Sequence, residues 1–488
     1  MISLTFFSLL TVLAPASERP NVVVILADDM GYGDVHALNP GSALATPHLD
    51  RLSEEGMTFV DAHSPSAVCT PTRYGLLTGR YCWRSRLTKG VLGGYSEPLL
   101  DEGQATLGTL LQSAGWRTGA VGKWHLGMRM PLLAEDAKTG DWSGDPGIDF
   151  AGRITDGPTQ HGFDDYFGVS ASLDMAPYVY IRNDLFDVLP SERQKGQPFP
   201  HFVRPGPRSV DFRIENVLDD LTREAVEFIK TGAKSDQPFF LYMPLTAPHK
   251  PTLPHDHFRG RTTLGEYGDF IEQVDWSIGR VLQAIDDAGV TEDTLVVFTS
   301  DNGSYMYLFG EDQVDHTTDS AKHGFRPSSH RPNGPWRGTK ADVYEAGHRV
   351  PFFVRWPGRV QARSRCAETI CHVDLFATLA EAFGLEMPTG AARDSYSLLP
   401  LLDRVEGAER GAPVVNHSIN GTFALRNGKW KAIFSTGSGG RQKPAGKAFD
   451  GTRLFDLALD PGETTDVAAQ HPELVADMTR QLEVIRAD

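Results

Sequence analysis

Four segments of the chain share one pattern: a short apolar run that ends in a cluster of polar residues. Asn21–Ala27 runs into Asp28 and Asp29, and Thr118–Val121 runs into Gly122, Lys123, Trp124 and His125. Pro238–Met243 leads to Ala247, Pro248 and His249, and Thr294–Thr299 leads to Asp301 and Asn302. Continuous apolar runs of this length suit strands buried on both faces of a parallel sheet. Helical periodicity lies between them, over Thr46–Glu55, Thr106–Gly115, Leu221–Thr231 and Tyr267–Ala288. Strand–helix alternation predicts an α/β fold in which helices cover both sides of a large, mostly parallel sheet. In such sheets binding sites form beyond the carboxyl ends of the strands, which is where all four polar clusters fall.

The pattern changes near residue 400. Pro413–Asn420 and Phe423–Phe434 read as short antiparallel strands, Leu454–Leu457 follows, and a polar helix runs from Pro472 to the end. The predicted division is a catalytic α/β domain over 17–400 and a smaller α+β domain over 401–488. Residues 305–336 lack periodicity and are rich in Gly, Pro, Ser, His and Arg, as a long functional loop would be. At the other end, Ile2–Leu13 is apolar and breaks at Ala14-Pro15-Ala16. A run of this length is too short for a bilayer, which needs about 20 residues, and fits a signal peptide over 1–16. The mature chain is then expected outside the cytoplasm, secreted or periplasmic. No later run is long and apolar enough to span a membrane. The net charge of −16 argues against nucleic acid as the partner, although a local basic pocket can still hold an anion. Four cysteines, Cys69, Cys82, Cys366 and Cys371, make no disulfide framework; Cys366 and Cys371 could pair or stay as buried small hydrophobes.

Asp28, Asp29, Asp301 and Asn302 form an all-oxygen set, which suits a hard cation such as Ca²⁺ or Mg²⁺ and not zinc. In Cys69-Thr-Pro-Thr-Arg73, Pro71 fits the first turn of a helix, with Cys69 at or just before its N-terminus. Free N–H groups and the helix dipole favour an anion there. Lys123 and His125 would face the same side of a strand, and His249 and Lys340 add another imidazole and ammonium. Taken singly, each has a plainer reading: a solvated carboxylate pair, a buried thiol, a core histidine, a surface lysine. Together they describe a pocket for a compact tetrahedral anion or its monoester.

These motifs carry a resemblance. Val24-Ile-Leu-Ala-Asp28-Asp29, Cys69–Arg73 with Leu77-Thr-Gly-Arg80, Gly122-Lys-Trp-His-Leu-Gly127 and Ala247-Pro-His249 recur with Ser300-Asp-Asn-Gly303, Arg337-Gly-Thr-Lys340, Gly347–Pro351 and Trp356-Pro-Gly358. Leu454–Leu457 with Asp460-Pro-Gly-Glu463 completes the set. From about Pro20 to the end the chain resembles the formylglycine-dependent sulfatases of the alkaline-phosphatase superfamily, and an alkaline-phosphatase-like fold is implied. The resemblance implies one Ca²⁺ per chain, held by Asp28, Asp29, Asp301, Asn302 and residue 69. It implies formylglycine at position 69, made from Cys69 by a formylglycine-generating (sulfatase-maturing) enzyme. Arg73 and Lys123 would hold that residue, and His125 would be the base on its hydroxyl. His249 and Lys340 would grip sulfate, one of them protonating the leaving alcohol. The aldehyde hydrates to a diol; one hydroxyl attacks sulfur and the other lets sulfate leave. One departure stands in the modification signal, usually Cys-x-Pro-Ser-Arg: Thr72 replaces the serine, keeping the hydroxyl and adding a methyl.

The substrate expected is a sulfated glycan, with small aryl or alkyl sulfates second. Ser172–Tyr180 resembles sulfatases acting on galactose-type sugars, and Asp174, Tyr178, His316, His323, Arg326 and His330 are the candidate sugar contacts. A phosphate or phosphonate ester hydrolase of the same superfamily is the nearest alternative. A non-catalytic sulfated-glycan-binding protein, with Cys69 unmodified, is a remoter one. Intact mass separates that last case, since conversion of Cys69 removes roughly 18 Da.

Overall fold

The computed structural model describes residues 19–134, 147–198, 201–306 and 330–487. The proposed signal segment therefore lies outside the described residues, as do His316, His323 and Arg326. Val22-Val-Val-Ile25 is β-branched throughout and forms the strand Asn21–Asp28, which is buried along its whole length. It lies between two parallel neighbours, Phe239–Pro248 and Thr294–Ser300, with Val24 opposite Tyr242 on one side and Val297 on the other. Arg117–Lys123 and Asp165–Val169 extend the parallel block beyond Phe239–Pro248. Shorter strands complete a sheet of ten, including antiparallel Phe352–Arg355 and Met57–Phe59 on one flank and Ile181–Arg182 and Leu185–Phe186 on the other. This is the large mixed, mostly parallel sheet expected from the apolar runs.

Helices Pro47–Glu55, Val217–Gly232 and Gly265–Asp287 pack with one another on the sheet, and Cys69–Thr78 packs with Leu107–Ser113 and Asp374–Ala382. Val217–Gly232 begins four residues before the apolar periodicity that predicts it. Asp219 and Asp220 make its first turn look like loop, but acidic residues belong at a helix N-terminus, where they meet the positive end of the dipole. All four cysteines are free thiols, Cys366 and Cys371 included.

Val414–His417, Phe423–Asn427, Trp430–Ile433 and Arg453–Asp456 form an antiparallel sheet of four, and Pro472–Ala487 buries Met478 and Leu482 against it. The same apolar cluster includes Tyr81, Cys371 and Val373 from the preceding part of the chain. A buried ionic network makes a second connection. Lys431 places its ammonium 3.0 Å from Glu345, 2.8 Å from Glu463 and 3.1 Å from His348 Nε2. His348 Nδ1 lies 2.9 Å from His63 Nδ1, and His63 Nε2 lies 2.8 Å from Asp61. Hydrogens can run in one direction along this line, Lys431 to His348, His348 to His63 and His63 to Asp61, while the Val343 carbonyl lies 3.1 Å from the same His348 Nε2. Burial depresses the His348 imidazole, assisted by Lys431.

Lys431→Ala leaves Glu345 and Glu463 buried without their shared cation. The expected cost is about 3–5 kcal/mol, as for a buried ion pair that loses one partner. Denaturant unfolding of the variant measures it; a loss under about 1 kcal/mol would mean that solvent replaces the lysine.

Candidate active site

The parallel strands bring their carboxyl ends to one edge, and the site is built there. Asp28 is the last residue of the central strand, and Asp29 follows it in a left-handed conformation at φ 68°. That turn aims the Asp29 amide at Asp301, its N–H donating to Oδ1 at 3.1 Å. Asp301 and Asn302 follow Thr294–Ser300. Lys123 ends Arg117–Lys123, and His249 directly follows Phe239–Pro248. The four polar clusters singled out by pattern thus converge on one place.

Cys69 is the first residue of the helix Cys69–Thr78, which is buried throughout, and Pro71 lies in its first turn. Thr72 donates its hydroxyl to the Ser66 carbonyl at 3.0 Å, so the atom that it shares with the usual serine is used in the fold. Burial pushes the Cys69 thiol up despite Lys123 and Lys340 nearby. An unmodified Cys69 is therefore a protonated thiol and a weak nucleophile.

Charge is balanced pair by pair. Arg73 donates to Asp301 Oδ2 through Nε at 3.2 Å and Nη2 at 2.9 Å, and through Nη1 to the Lys123 carbonyl at 2.8 Å. Lys123 donates to Asp28 Oδ2 at 2.6 Å. Lys340 donates to Asp29 at 2.6 and 2.8 Å, and Asn302 Nδ2 donates to Asp29 Oδ1 at 2.7 Å. Burial alone would raise Asp28, but Lys123, His249 and Arg73 hold it well below the usual carboxylate range. Asp301 goes the other way: burial, then the Asp28 charge, push it up to about 7. Asp29 accounts for the strong hold on Lys340, whose ammonium is raised against the cost of burial.

Two buried oxygens, Asp28 Oδ1 and Asn302 Oδ1, have no hydrogen-bond partner among the described residues. An unsatisfied buried acceptor is costly, and two of them beside Asp29 and Asp301 form an oxygen cradle that fits a hard divalent cation. Ligand atoms of Asp28, Asp29 and His249 also fall within 4.8 Å of one another. The oxygens are the better donors for such a cation, which leaves the imidazole for other work.

His125 departs from the strand geometry expected of it. The strand stops at Lys123, and His125 sits at φ 57° in a left-handed turn, so strict alternation does not set its direction. Its Nε2 lies 2.8 Å from the Leu92 carbonyl and donates to it, which leaves Nδ1 as a buried acceptor with no partner among the described residues. Burial, then Lys123 and Arg73, hold this imidazole well below its usual pKa. His249 Nδ1 donates to the Lys250 carbonyl at 2.5 Å, and its Nε2 stands 3.7 Å from Asp29. Burial and Lys340 depress it as well.

The sugar candidates separate. Asp174 is buried; Arg204 holds its Oδ2 at 2.6 Å, and Oδ1 has no partner among the described residues. Tyr178 donates its hydroxyl to the Arg204 carbonyl at 2.5 Å, which is a packing role. His330 is buried with Nε2 2.8 Å from Asp34, a second support for the fold. Arg204 and Lys250 escaped the sequence reading. Lys250 directly follows His249, and its ammonium is depressed by burial and favoured by Asp174, so Asp174 lies near the catalytic edge.

The family model described as Sulfatase matches residues 20–385. An N-acetylgalactosamine-6-O-sulfatase of Bacteroides thetaiotaomicron is 33% identical over 507 positions, spanning 96% of this chain and 94% of its own. A steryl-sulfatase of Mus musculus is 31% identical, spanning 94% of this chain and 81% of its own. Among solved structures, a Bacteroides thetaiotaomicron protein from work on the metabolism of multiple glycosaminoglycans superposes with a TM-score of 0.82 at 32% identity, covering 97% of this chain and 100% of its own. A phosphonate monoester hydrolase of Agrobacterium radiobacter, at a TM-score of 0.60 and 19% identity over 96% of both chains, shares the fold.

The raised Asp301 carboxyl would make the binding of a divalent cation in this cradle pH-dependent. Without metal, the folded state keeps the Asp301 proton that the unfolded state has lost above the usual carboxylate range. That contribution to stability is full below the unfolded value near 4 and disappears as pH rises through about 7. A divalent cation competes with the proton for the same oxygens. We expect the Tm gain on adding Ca²⁺ to chelated protein to be larger at pH 8 than at pH 5.5, as thermal melts at both values would report. An equal gain at both would remove Asp301 from the cation site.

Proposed function

We propose a glycan substrate and a covalent mechanism for this chain, which belongs to the sulfatase family and is a sulfuric ester hydrolase. The substrate we infer is a sulfated glycan, with the 6-sulfate of an N-acetylgalactosamine-type sugar as the first choice. The observation that carries this reading is Cys69 at a buried helix N-terminus, facing three carboxylates matched by Arg73, Lys123 and Lys340. Those charges cancel, so a bound divalent cation makes the site positive and suited to an ester with one negative charge. The B. thetaiotaomicron relative's name supports the choice of sugar. The polar rim supports it over a sterol: Asp174 offers a buried acceptor oxygen for a sugar hydroxyl, with Arg204 and Lys250 beside it. Export through the N-terminal segment, which we also propose, suits an extracellular polymer.

Asp28, Asp29, Asp301 and Asn302 would hold Ca²⁺, which supplies charge stabilisation for the sulfate oxygens. Formylglycine at position 69, made by a maturing enzyme, supplies a hydrated aldehyde with one hydroxyl to attack and one to release sulfate. Arg73 keeps the helix start in place by bridging Asp301 and the Lys123 carbonyl. Lys123 and Lys340 direct ammonium groups into the site. The neutral His125 takes up a proton at Nδ1, its tautomer fixed by the bond to Leu92. His249 presents Nε2 to the leaving oxygen, and an anionic substrate favours its protonated form. A protonated His249 is the general acid that a sugar alcohol needs.

Turnover of 6-sulfated N-acetylgalactosamine, compared with the 4-sulfated isomer and with nitrophenyl sulfate and phosphate, tests the reading. Greater efficiency on the phosphate would move the assignment to a phosphohydrolase. Cys69→Ser is expected to fold but to lose turnover by at least about 10³-fold, because serine has no second hydroxyl with which to expel sulfate. Steady turnover near the wild-type rate would sink the covalent mechanism.

His249→Ala should lower kcat on the sugar sulfate by about 10²-fold or more and affect nitrophenyl sulfate far less, since nitrophenolate leaves without a proton. Equal losses on both would transfer the acid role to Lys340.

A further inference from the structure

An open cavity of about 630 Å³ lies outside the site described above, at the C-terminal end of the helix that begins with Cys69. Its wall carries Arg80, Arg84, Lys89, Arg393 and Arg486, and none of the described lining residues is acidic. Such a concentration of cations stands out in a chain of net charge −16. Arg84 is neutralised in place by a two-point ion pair with Asp394 at 2.7 and 2.9 Å. Lys89 and Arg486 are exposed. The Arg486 guanidinium carbon lies over Phe423 and Phe449, 4.9 and 4.8 Å from the ring centroids.

The backbone of the cavity wall is tied to the catalytic centre. Thr88 and Lys89 belong to the segment that reaches Leu92, whose carbonyl holds His125 and whose N–H donates to Thr70, beside Cys69. Leu92 is three residues beyond Lys89, so the two lie at most about 10 Å apart along the chain. The opposite wall is Asn420–Gly421. Ile419 N–H donates to the Ala341 carbonyl, next to Lys340, and Gly90 N–H donates to the Ile419 carbonyl, tying the two walls together. Asn420 N–H donates to the Gly439 carbonyl, and Arg441 two residues on lies close enough to Lys250 to oppose its charge. Positive groups thus run from Lys250 at the catalytic edge through Arg441 to Lys89 and Arg486.

We propose that this cavity is a second anion-binding subsite, which takes a sulfate or carboxylate on a neighbouring sugar of the glycan whose sulfate ester is cleaved. The inference rests on the glycan reading and extends it: the substrate is a polyanionic chain, held at two places. A single sulfated sugar spans only the catalytic pocket and gains nothing from the cavity. An anionic oligosaccharide reaches both, and its second contact acts on binding without touching the reacting atoms. Exposed charges make that contact sensitive to salt.

The test compares a 6-sulfated monosaccharide with hexasaccharides of three kinds: neutral neighbours, uronate-bearing neighbours and sulfated neighbours. Enzymes are wild type, Lys89→Glu, and Lys89→Glu with Arg486→Glu. The anionic hexasaccharides should show a KM about tenfold lower than the monosaccharide at low salt. That gain should vanish in the double variant, while kcat and the monosaccharide KM stay put. The uronate and sulfate arms identify which anion the subsite takes. Equal KM for neutral and anionic hexasaccharides, or equal losses on monosaccharide and hexasaccharide, would overturn the proposal. If no sugar sulfate is turned over, the glycan reading fails on its own. Titration of a chondroitin-sulfate hexasaccharide into Cys69→Ala protein, with and without the double substitution, then decides the subsite: tenfold weaker binding supports it, unchanged binding ends it.

Discussion

Arg73 is fully buried, and nearly everything about the catalytic edge follows from keeping it charged there. A guanidinium cannot shed its proton, so it must be matched by carboxylate and carbonyl oxygens on every available side. Asp301 takes two of its N–H groups and the Lys123 carbonyl a third. Asp28, 3.7 Å away, is then close enough to Asp301 to need a cation of its own, which Lys123 supplies at 2.6 Å. Asp29, turned back toward Asp301 by its left-handed backbone, needs a third, supplied by Lys340. Each buried charge calls for the next, and the chain of pairs ends only when three acids face three bases.

That balance also explains what a divalent cation would do. Among the described residues two oxygens, Asp28 Oδ1 and Asn302 Oδ1, have no donor, and burial beside Asp28 makes the Asp301 carboxyl hold a proton more tightly than it would in water. Both features describe an oxygen set assembled for a charge larger than lysine and arginine provide. The sheet pays for this arrangement, because the strands that end in Asp28, Lys123 and Ser300 are almost wholly buried, with apolar runs at Val22–Ala27 and Leu295–Phe298, and that burial anchors the edge.

Most of this was legible in the sequence because it depends on local pattern. An unbroken apolar run that ends in acids reads as a buried strand with a polar tip, and in parallel strands the tips must share an edge. Asp28, Asp29, Asp301 and Asn302 were found by that rule alone. What local pattern could not supply was direction. His125 looks like the next same-face residue after Lys123, but the strand ends first and a positive φ re-aims the ring. Tyr178 and His330 look like polar residues near a substrate, but the Tyr178 hydroxyl is given to the Arg204 carbonyl and His330 Nε2 is held by Asp34. Arg204 comes from a segment 30 residues beyond its partner Asp174, and nothing in its neighbourhood marks it. The cations of the second cavity come from three separate stretches that only the fold gathers.

The two histidines show how burial sets chemistry without any residue being unusual. Placed among cations and away from water, an imidazole loses its proton more readily, and both His125 and His249 are depressed for that reason. Each then has one N–H, and a backbone carbonyl claims it: Leu92 in one case, Lys250 in the other. The claimed nitrogen determines the free one, so the tautomers are set by main-chain atoms that do not change with substrate. His125 is left with an acceptor at Nδ1, sealed from solvent, and His249 with an acceptor at Nε2, facing Asp29. An incoming anion cannot easily alter the first, which has Lys123 and Arg73 beside it. It can alter the second, because a negative ester near His249 offsets the Lys340 charge that helped to depress it. In the proposed mechanism one ring would therefore stay a base, and the other would gain a proton when an anionic ester is bound.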